Sequence, residues 1–232
     1  MEKQVKSKQR VADHGEVFTA EREVNAMLDL VKGETERIDS TFLEPACGNG
    51  NFLVEILRRK LAVVDKQYKH YPADWEKYSV LAMMSIYGVD ILADNVEECR
   101  ARLYGIWEDA YRAACKKECS DECREAVRFV LRRNILCGDA LNLTQADGTP
   151  IIFSEWSMIG GGKVKRRDFR LDVLMNENTD PSNYESNQLS LFDDDPNGAV
   201  HWMIDPDTGK STPAPIAEYP SVFYRRIQEY GA

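Results

Sequence analysis

The sequence predicts an α/β fold: a shortened parallel sheet with helices on both faces, followed by a hairpin and an irregular C-terminal tail. Three observations carry this. Short apolar runs alternate with helical periodicity up to Asp139, the grammar of βαβ units with right-handed crossovers. The first run ends in a glycine turn and the next two end in acids, Asp90 and Asp139. Beyond Asp139 the helical period gives way to extended segments around a Gly-rich turn, then to a stretch rich in Asn, Asp, Ser and Pro.

Taken in order, residues 1–14 are polar and charged and read as a loose arm. Thr19 is a start signal, glutamates follow it, and Val24, Met27, Leu28 and Val31 recur at helical spacing. They predict a helix over about 20–32, ended by Gly33. "TFLEP" reads as a buried strand and "NFLVEILRRKLAVVDKQY" as an amphipathic helix opening directly after the glycines. A helix over 74–86 precedes the second strand, "SIYGVDI". Helical periodicity runs from Asp94 to about Leu103 and again through "IWEDAYRAACKKECSDECREAVRFVLRR", and "NILCGDAL" supplies the third strand. "TPIIFSEWSMIGGGKVKRRDFRLDVLM" predicts two extended segments joined at 160–162, with a basic second arm. Residues 176–217 show little periodicity, and "EYPSVFYRRIQEY" reads as a last strand or short helix that docks back. The domain reading is therefore an arm at 1–14, a sheet-bearing domain at 15–175 and an irregular extension at 176–232.

Composition bounds the function. A 232-residue chain with 43% hydrophobic and 30% charged residues holds one substantial core. A net charge of -9 argues against a free-standing nucleic-acid binder, which wants a basic surface. No apolar run reaches about 18 residues and the start "MEKQVKSKQR" lacks a signal-peptide core, so a cytoplasmic protein without a membrane span is expected. The six cysteines are then expected as thiols. Cys115, Cys119 and Cys123 recur every four residues, which on one helix makes a stripe rather than a metal knuckle, and no metal site is expected.

In an open parallel sheet ligands sit at the carboxyl ends of the strands. Gly48 and Gly50 let the backbone approach a ligand, and the following helix aims its amides at it. Asp90 is placed to accept from a ribose diol and Asp139 from an adenine amino group. Helix capping is the alternative use of both acids. Jointly, the glycine turn and the two acids describe a nucleoside pocket.

"FLEPACGNGNFL" resembles the AdoMet-binding motif of the adenine-specific DNA methyltransferases of restriction-modification systems, and "HGEVFTAEREVNAML", "YGVDI" and "ILCGDAL" are similar to the segments that accompany it. The resemblance covers residues 14 to about 143. It implies a Rossmann-like class I AdoMet-dependent methyltransferase sheet, shortened here, over residues 15–175, with S-adenosyl-L-methionine (AdoMet) as cofactor. It implies Phe18 and Thr19 near the methionine moiety, with Glu44, Ala46, Gly48 and Gly50 lining the central pocket. Asp90 would meet the ribose hydroxyls, Ile91 the adenine face and Asp139 its amino group. Leu53 stands where a dinucleotide fingerprint needs a third glycine, which disfavours NAD.

The family's catalytic tetrapeptide, a polar residue, two prolines and an aromatic, is absent: no Pro-Pro dipeptide occurs. The nearest substitute is "IIFSEW", whose Ser154 and Trp156 are the candidate catalytic residues; "DVLMNEN", with Asn176 and Asn178, is a second. "KVKRRDFR" makes Lys163, Lys165, Arg166 and Arg167 candidates for phosphate contact, against a charged strand edge as the alternative. "QLSLF" resembles the pentapeptide that docks bacterial replication and repair proteins on the sliding clamp, with Gln188, Leu189, Leu191 and Phe192 as its contacts. The expected function is AdoMet-dependent methylation of an exocyclic amine in DNA, together with a specificity or restriction subunit. The alternative is a non-catalytic AdoMet-fold subunit that binds a partner protein or DNA; a third reading moves the acceptor to RNA or protein.

Overall fold

The computed structural model describes residues 5–175, 202–204 and 211–230. Its centre is a parallel three-stranded sheet, β1 (Phe42–Glu44), β2 (Ile86–Asp90) and β3 (Ile135–Cys137), in that spatial order. Phe42 pairs with Ile86, Glu44 with Gly88, and Asp90 with Cys137, so the three carboxyl ends lie side by side. Between β1 and β2 run α4 (Asn51–Tyr68) and α5 (Pro72–Met84); between β2 and β3 run α6 (Ala93–Cys115) and α7 (Asp121–Asn134). Before β1 lie α1 (Lys8–His14), α2 (Glu21–Asp29) and the single turn α3 (Lys32–Thr35). The protein is thus mixed α/β with a parallel sheet, as the alternation predicts.

The expectation of helices on both faces is narrowed: the crossover helices lie on one face, and the other carries a hairpin and one short helix. Strand order 1-2-3 advances in one direction, and right-handed crossovers that advance one way lay their helices on one face. Side chains alternate along β2. Ile86 packs into the core with Leu53, Leu57, Val96 and Leu103 of the helices, and Gly88 lies against Leu53 and Cys47. Val89, on the opposite face, packs with Ile151, Phe153 and Leu171. That face is covered by the antiparallel hairpin of β4 (Ile152–Ile159) and β5 (Lys163–Arg170), and by the five-residue α8 (Leu171–Met175). The hairpin turn falls at 160–162 as predicted, with Gly161 and Gly162 at φ +74° and +73°.

Two other expectations change. The cysteines at 115, 119 and 123 are not one stripe: α6 ends at Cys115, Lys116 takes φ +52°, and Ser120 caps α7 by accepting from the Cys123 amide at 3.4 Å. Ser-Asp-Glu is a stronger helix start than the four-residue spacing is a helix continuation. Residues 8–14, read as a loose arm, form α1. Its Arg10 reaches Glu16 at 2.7 Å and Asp94 on α6 at 2.5 Å.

The tail read as irregular carries regular elements among its described residues. Strands β6 (Trp202–Ile204) and β7 (Ser211–Pro213) pair with each other, while β8 (Ala217–Glu218) and β9 (Val222–Phe223) both add to β5. A 3-10 helix over Tyr224–Glu229 then packs on α7, burying Tyr224 and Ile227, so the C-terminal segment docks back as strand and helix together. Asn176, Asn178 and the "QLSLF" segment lie outside the described residues.

Lys60 shows how tightly the helical face is closed. It is fully buried on α4 and donates to the carbonyls of Arg37, Ile38 and Ser40 and to Ser85 Oγ, pinning the loop before β1. Burial pushes its ammonium down to about 7. Because the folded value lies below the unfolded one, the charge costs most stability below pH 7, and the cost fades as pH rises towards the unfolded value. The urea midpoint of the wild type is therefore expected to rise between about pH 7 and pH 10 relative to that of Lys60→Met. Parallel curves for the two proteins would contradict this.

Candidate functional site

The carboxyl ends of the strands open into a cleft of about 720 Å³. Gly48 sits in its wall at φ +52°, and a Cβ there would come within 3.1 Å of the Phe18 ring. Glycine is required twice over, by the left-handed backbone and by the close approach. The loop is braced from outside: Asn49 donates its side-chain amide to Glu98 at 2.9 Å, and Arg102 donates to the Asn49 carbonyl at 2.6 Å. Asn51, opening α4, donates to the Thr19 carbonyl at 2.9 Å, which ties the segment 15–19 across the cleft mouth.

Asp90 closes β2 facing this loop. Its carboxylate accepts from the Gly48 amide at 2.9 Å, the Leu92 amide at 2.9 Å and Asn95 Nδ2 at 3.2 Å. It is thus both a cleft wall and the brace of the glycine turn. Asp139 uses its carboxylate in a local turn, accepting from the Leu141 amide at 2.8 Å and from Asn142; these bonds hold it below the usual carboxylate range. Asp139 therefore closes a local turn and caps no helix, since the next helix after it begins at Leu171, and it lines the cleft. Ile91 presents a largely exposed apolar side chain between the two acids. Burial pushes the Glu44 carboxyl up, opposed by the Ala46 amide.

The cleft brings together Phe18, Thr19, Glu44, Ala46, Gly48, Asp90, Ile91 and Asp139. Comparisons with family models, with curated proteins and with solved structures find no match. Gly50 differs from its expected role, because it does not line the cleft. It lies beneath the turn at φ +89°, where a Cβ would meet Cys99 Sγ of α6 at 2.6 Å. Gly50→Ala is therefore expected to cost about 2–3 kcal/mol of stability from left-handed strain and overpacking. Cys99→Ala should restore the packing part of that loss but not the backbone part; equal thermal midpoints for wild type and Gly50→Ala would refute this.

Other cleft residues escape motif reading. Glu16 is held by Arg10 and by Asn95 Nδ2 at 2.7 Å, and against the cost of its burial these hydrogen bonds keep it below the usual carboxylate range. Its partner Asn95 lies 79 positions away. Met175 reaches the cleft from the end of α8. Neither has a local signal.

Ser154 and Trp156 do not line the cleft, which corrects their catalytic assignment. Ser154 is 1% exposed; its hydroxyl donates to Asp168 at 2.7 Å and its carbonyl accepts from Tyr87 at 2.8 Å. Trp156 donates to Asn134 Oδ1 at 2.9 Å and packs edge-on to Phe129. Both are core residues, one on each side of Glu155. Ser154 borders a separate cavity of about 390 Å³ between β1 and the hairpin, which shares Met175 with the cleft.

The basic arm is likewise absorbed. Arg166 is buried, donating to both Asp168 oxygens, and stacks over Tyr219 at 4.0 Å. Lys165 pairs with Glu218 at 3.0 Å and Arg167 with Glu155 at 2.7 Å, while Lys163 stays exposed at the turn. The phosphate-contact reading is corrected for Arg166, which is buried against Asp168 of its own strand, and for Lys165 and Arg167, which cross-strand acids neutralise; Lys163 keeps an exposed cation at the turn.

Proposed function

We propose that the cleft binds AdoMet and that the chain is the cofactor-binding part of an amine methyltransferase of the adenine-specific DNA type, built on a Rossmann-like sheet. The observation that carries the reading is the charge of the wall. Glu16, Glu44, Asp90 and Asp139 line the cleft, and among the described residues no Lys or Arg does. Such a wall repels the phosphates of a dinucleotide or nucleoside triphosphate and attracts a cation. AdoMet is a nucleoside with a sulfonium and an ammonium charge, and when bound it supplies an electrophilic methyl group. Gly48 admits it, Asp90 retains lone pairs for a diol, and Ile91 offers an apolar face for a base.

Isothermal calorimetry tests this, with one AdoMet per chain expected. Absence of heat and of any thermal stabilisation by AdoMet would sink the reading at its root. A second reading, the non-catalytic subunit, is supported by the engagement of Ser154 and Trp156 inside the hairpin. Radiolabelled methyl transfer to mixed genomic DNA separates the two. Incorporation by the chain alone favours the enzyme, and intact AdoMet binding without incorporation favours the subunit.

A further inference from the structure

With Lys165, Arg166 and Arg167 of the hairpin paired to acids, arginines gather elsewhere. A cleft of about 680 Å³ opens between the last turn of α7, β3 and β8, with Arg132, Arg133 and the ion-paired Asp168 on its wall and Phe129 and Tyr219 beside them. Arg132 is exposed, and among the described residues no carboxylate pairs with it. Arg133 is half-buried; burial and then the neighbouring Arg166 push its guanidinium down, with Asp168 acting the other way. Asp168 is itself engaged by Arg166, by Ser154 and by Tyr219 at 3.3 Å. Arginines in the last turn of a helix complement its dipole, but that alone does not bring them into a concave site with aromatic rings. The volume suits a nucleotide unit rather than a lone ion, and the exposed planar fork of Arg132 suits phosphate oxygens, with Arg133, held over the Phe129 ring at 5.5 Å, adding positive charge to the wall.

We propose that this cleft is the contact of the chain with the phosphate backbone of a nucleic-acid strand. It rests on the nucleic-acid side of the reading above and is independent of AdoMet binding, so calorimetry with AdoMet and anisotropy with DNA can fail separately. Fluorescence anisotropy of the full chain with short labelled duplex and single-stranded DNA tests it. Arg132→Glu is expected to weaken binding about tenfold or more, and Arg132→Ala to lower the slope of log affinity against log salt by about 1. Arg58→Glu, the same charge change at an exposed site on α4, should stay within about twofold of wild type, a difference too small to reflect a lost phosphate contact. Arg132 is on the surface, so its variants are expected to keep the wild-type thermal midpoint, and Arg133→Ala is read only if it does too. No DNA binding by the wild type, or equal losses for Arg132→Glu and Arg58→Glu, overturns the proposal. So does displacement of the DNA by inorganic phosphate at matched phosphate concentration, which would mean an ion site only.

Discussion

Asp90→Ala is expected to weaken AdoMet binding by about a hundredfold or more, the largest single-residue effect on the cleft. Two losses combine. The carboxylate that faces the cleft disappears, and the amides of Gly48 and Leu92, each bonded to it at 2.9 Å, lose their acceptor. A buried donor left unpaired costs about 1–3 kcal/mol. Either loss alone is worth about one factor of ten or more at 1.4 kcal/mol per decade. The glycine turn then has no internal reason to hold its left-handed shape before a ligand arrives, so part of the binding energy goes into ordering it. Asp90→Asn separates the contributions. Its one amide oxygen can still accept from Gly48 or from Leu92, but its NH₂ faces the other donor, so affinity should fall between wild type and Asp90→Ala. Calorimetry at fixed pH reads all three. An Asp90→Ala affinity within about threefold of wild type, roughly half a kcal/mol, would remove Asp90 from the site.

The legible part of this architecture is the part written in short range. Buried parallel strands are continuous apolar runs, so "TFLEP", "SIYGVDI" and "NILCGDAL" could be located directly. The order strand, helix, strand then places Gly48, Asp90 and Asp139 at neighbouring strand ends, where the structure brings them to one cleft. Which face the helices take follows from strand order and handedness together, and strand order is a long-range fact. The same limit explains Ser154. A hydroxyl inside an apolar run reads as a working group, yet its partner Asp168 sits across a hairpin whose register only the fold sets. It explains the basic arm as well, because the acids that neutralise Lys165 and Arg167 come from other strands. The contact between Arg10 and Asp94 spans 84 positions, and no local pattern announces it.

Glu76 is expected to be the most costly residue to remove for stability, although no motif includes it. It is 1% exposed on α5, and its carboxylate accepts from Tyr111 of α6, from Tyr224 at 2.6 Å and from Arg225. Tyr111 in turn accepts from the Ser120 amide at 2.8 Å, so one carboxylate joins α5, α6, the start of α7 and the C-terminal segment. Burial and the neighbouring carboxylate both push the Tyr111 and Tyr224 hydroxyls up, which keeps them protonated as donors. Glu76→Ala leaves Arg225 without its buried counter-charge and strands two hydroxyls. Arg225 is part-exposed and water can reach it, so most of the loss comes from the two hydroxyls, at about 1–3 kcal/mol each, together about 3–5 kcal/mol, which for a chain of this size is a fall in thermal midpoint of roughly 10 °C. Glu76→Gln keeps the shape and one acceptor and should lose less. Tyr224→Phe removes one hydroxyl from the rim of the network and should cost about 1 kcal/mol. If the carboxylate is the hub, the double variant Glu76→Gln with Tyr224→Phe will fall short of the sum of the singles. Strict additivity, or a Glu76→Ala loss below about 1 kcal/mol, would show that hydrophobic packing of Tyr224 and Ile227 on α7 holds the C-terminal segment without the network. The segment carries β9 and the 3-10 helix after it, so releasing it also uncovers the edge of β5. Loss of Glu76 should therefore appear first as protease cleavage near residues 219–223, ahead of global unfolding.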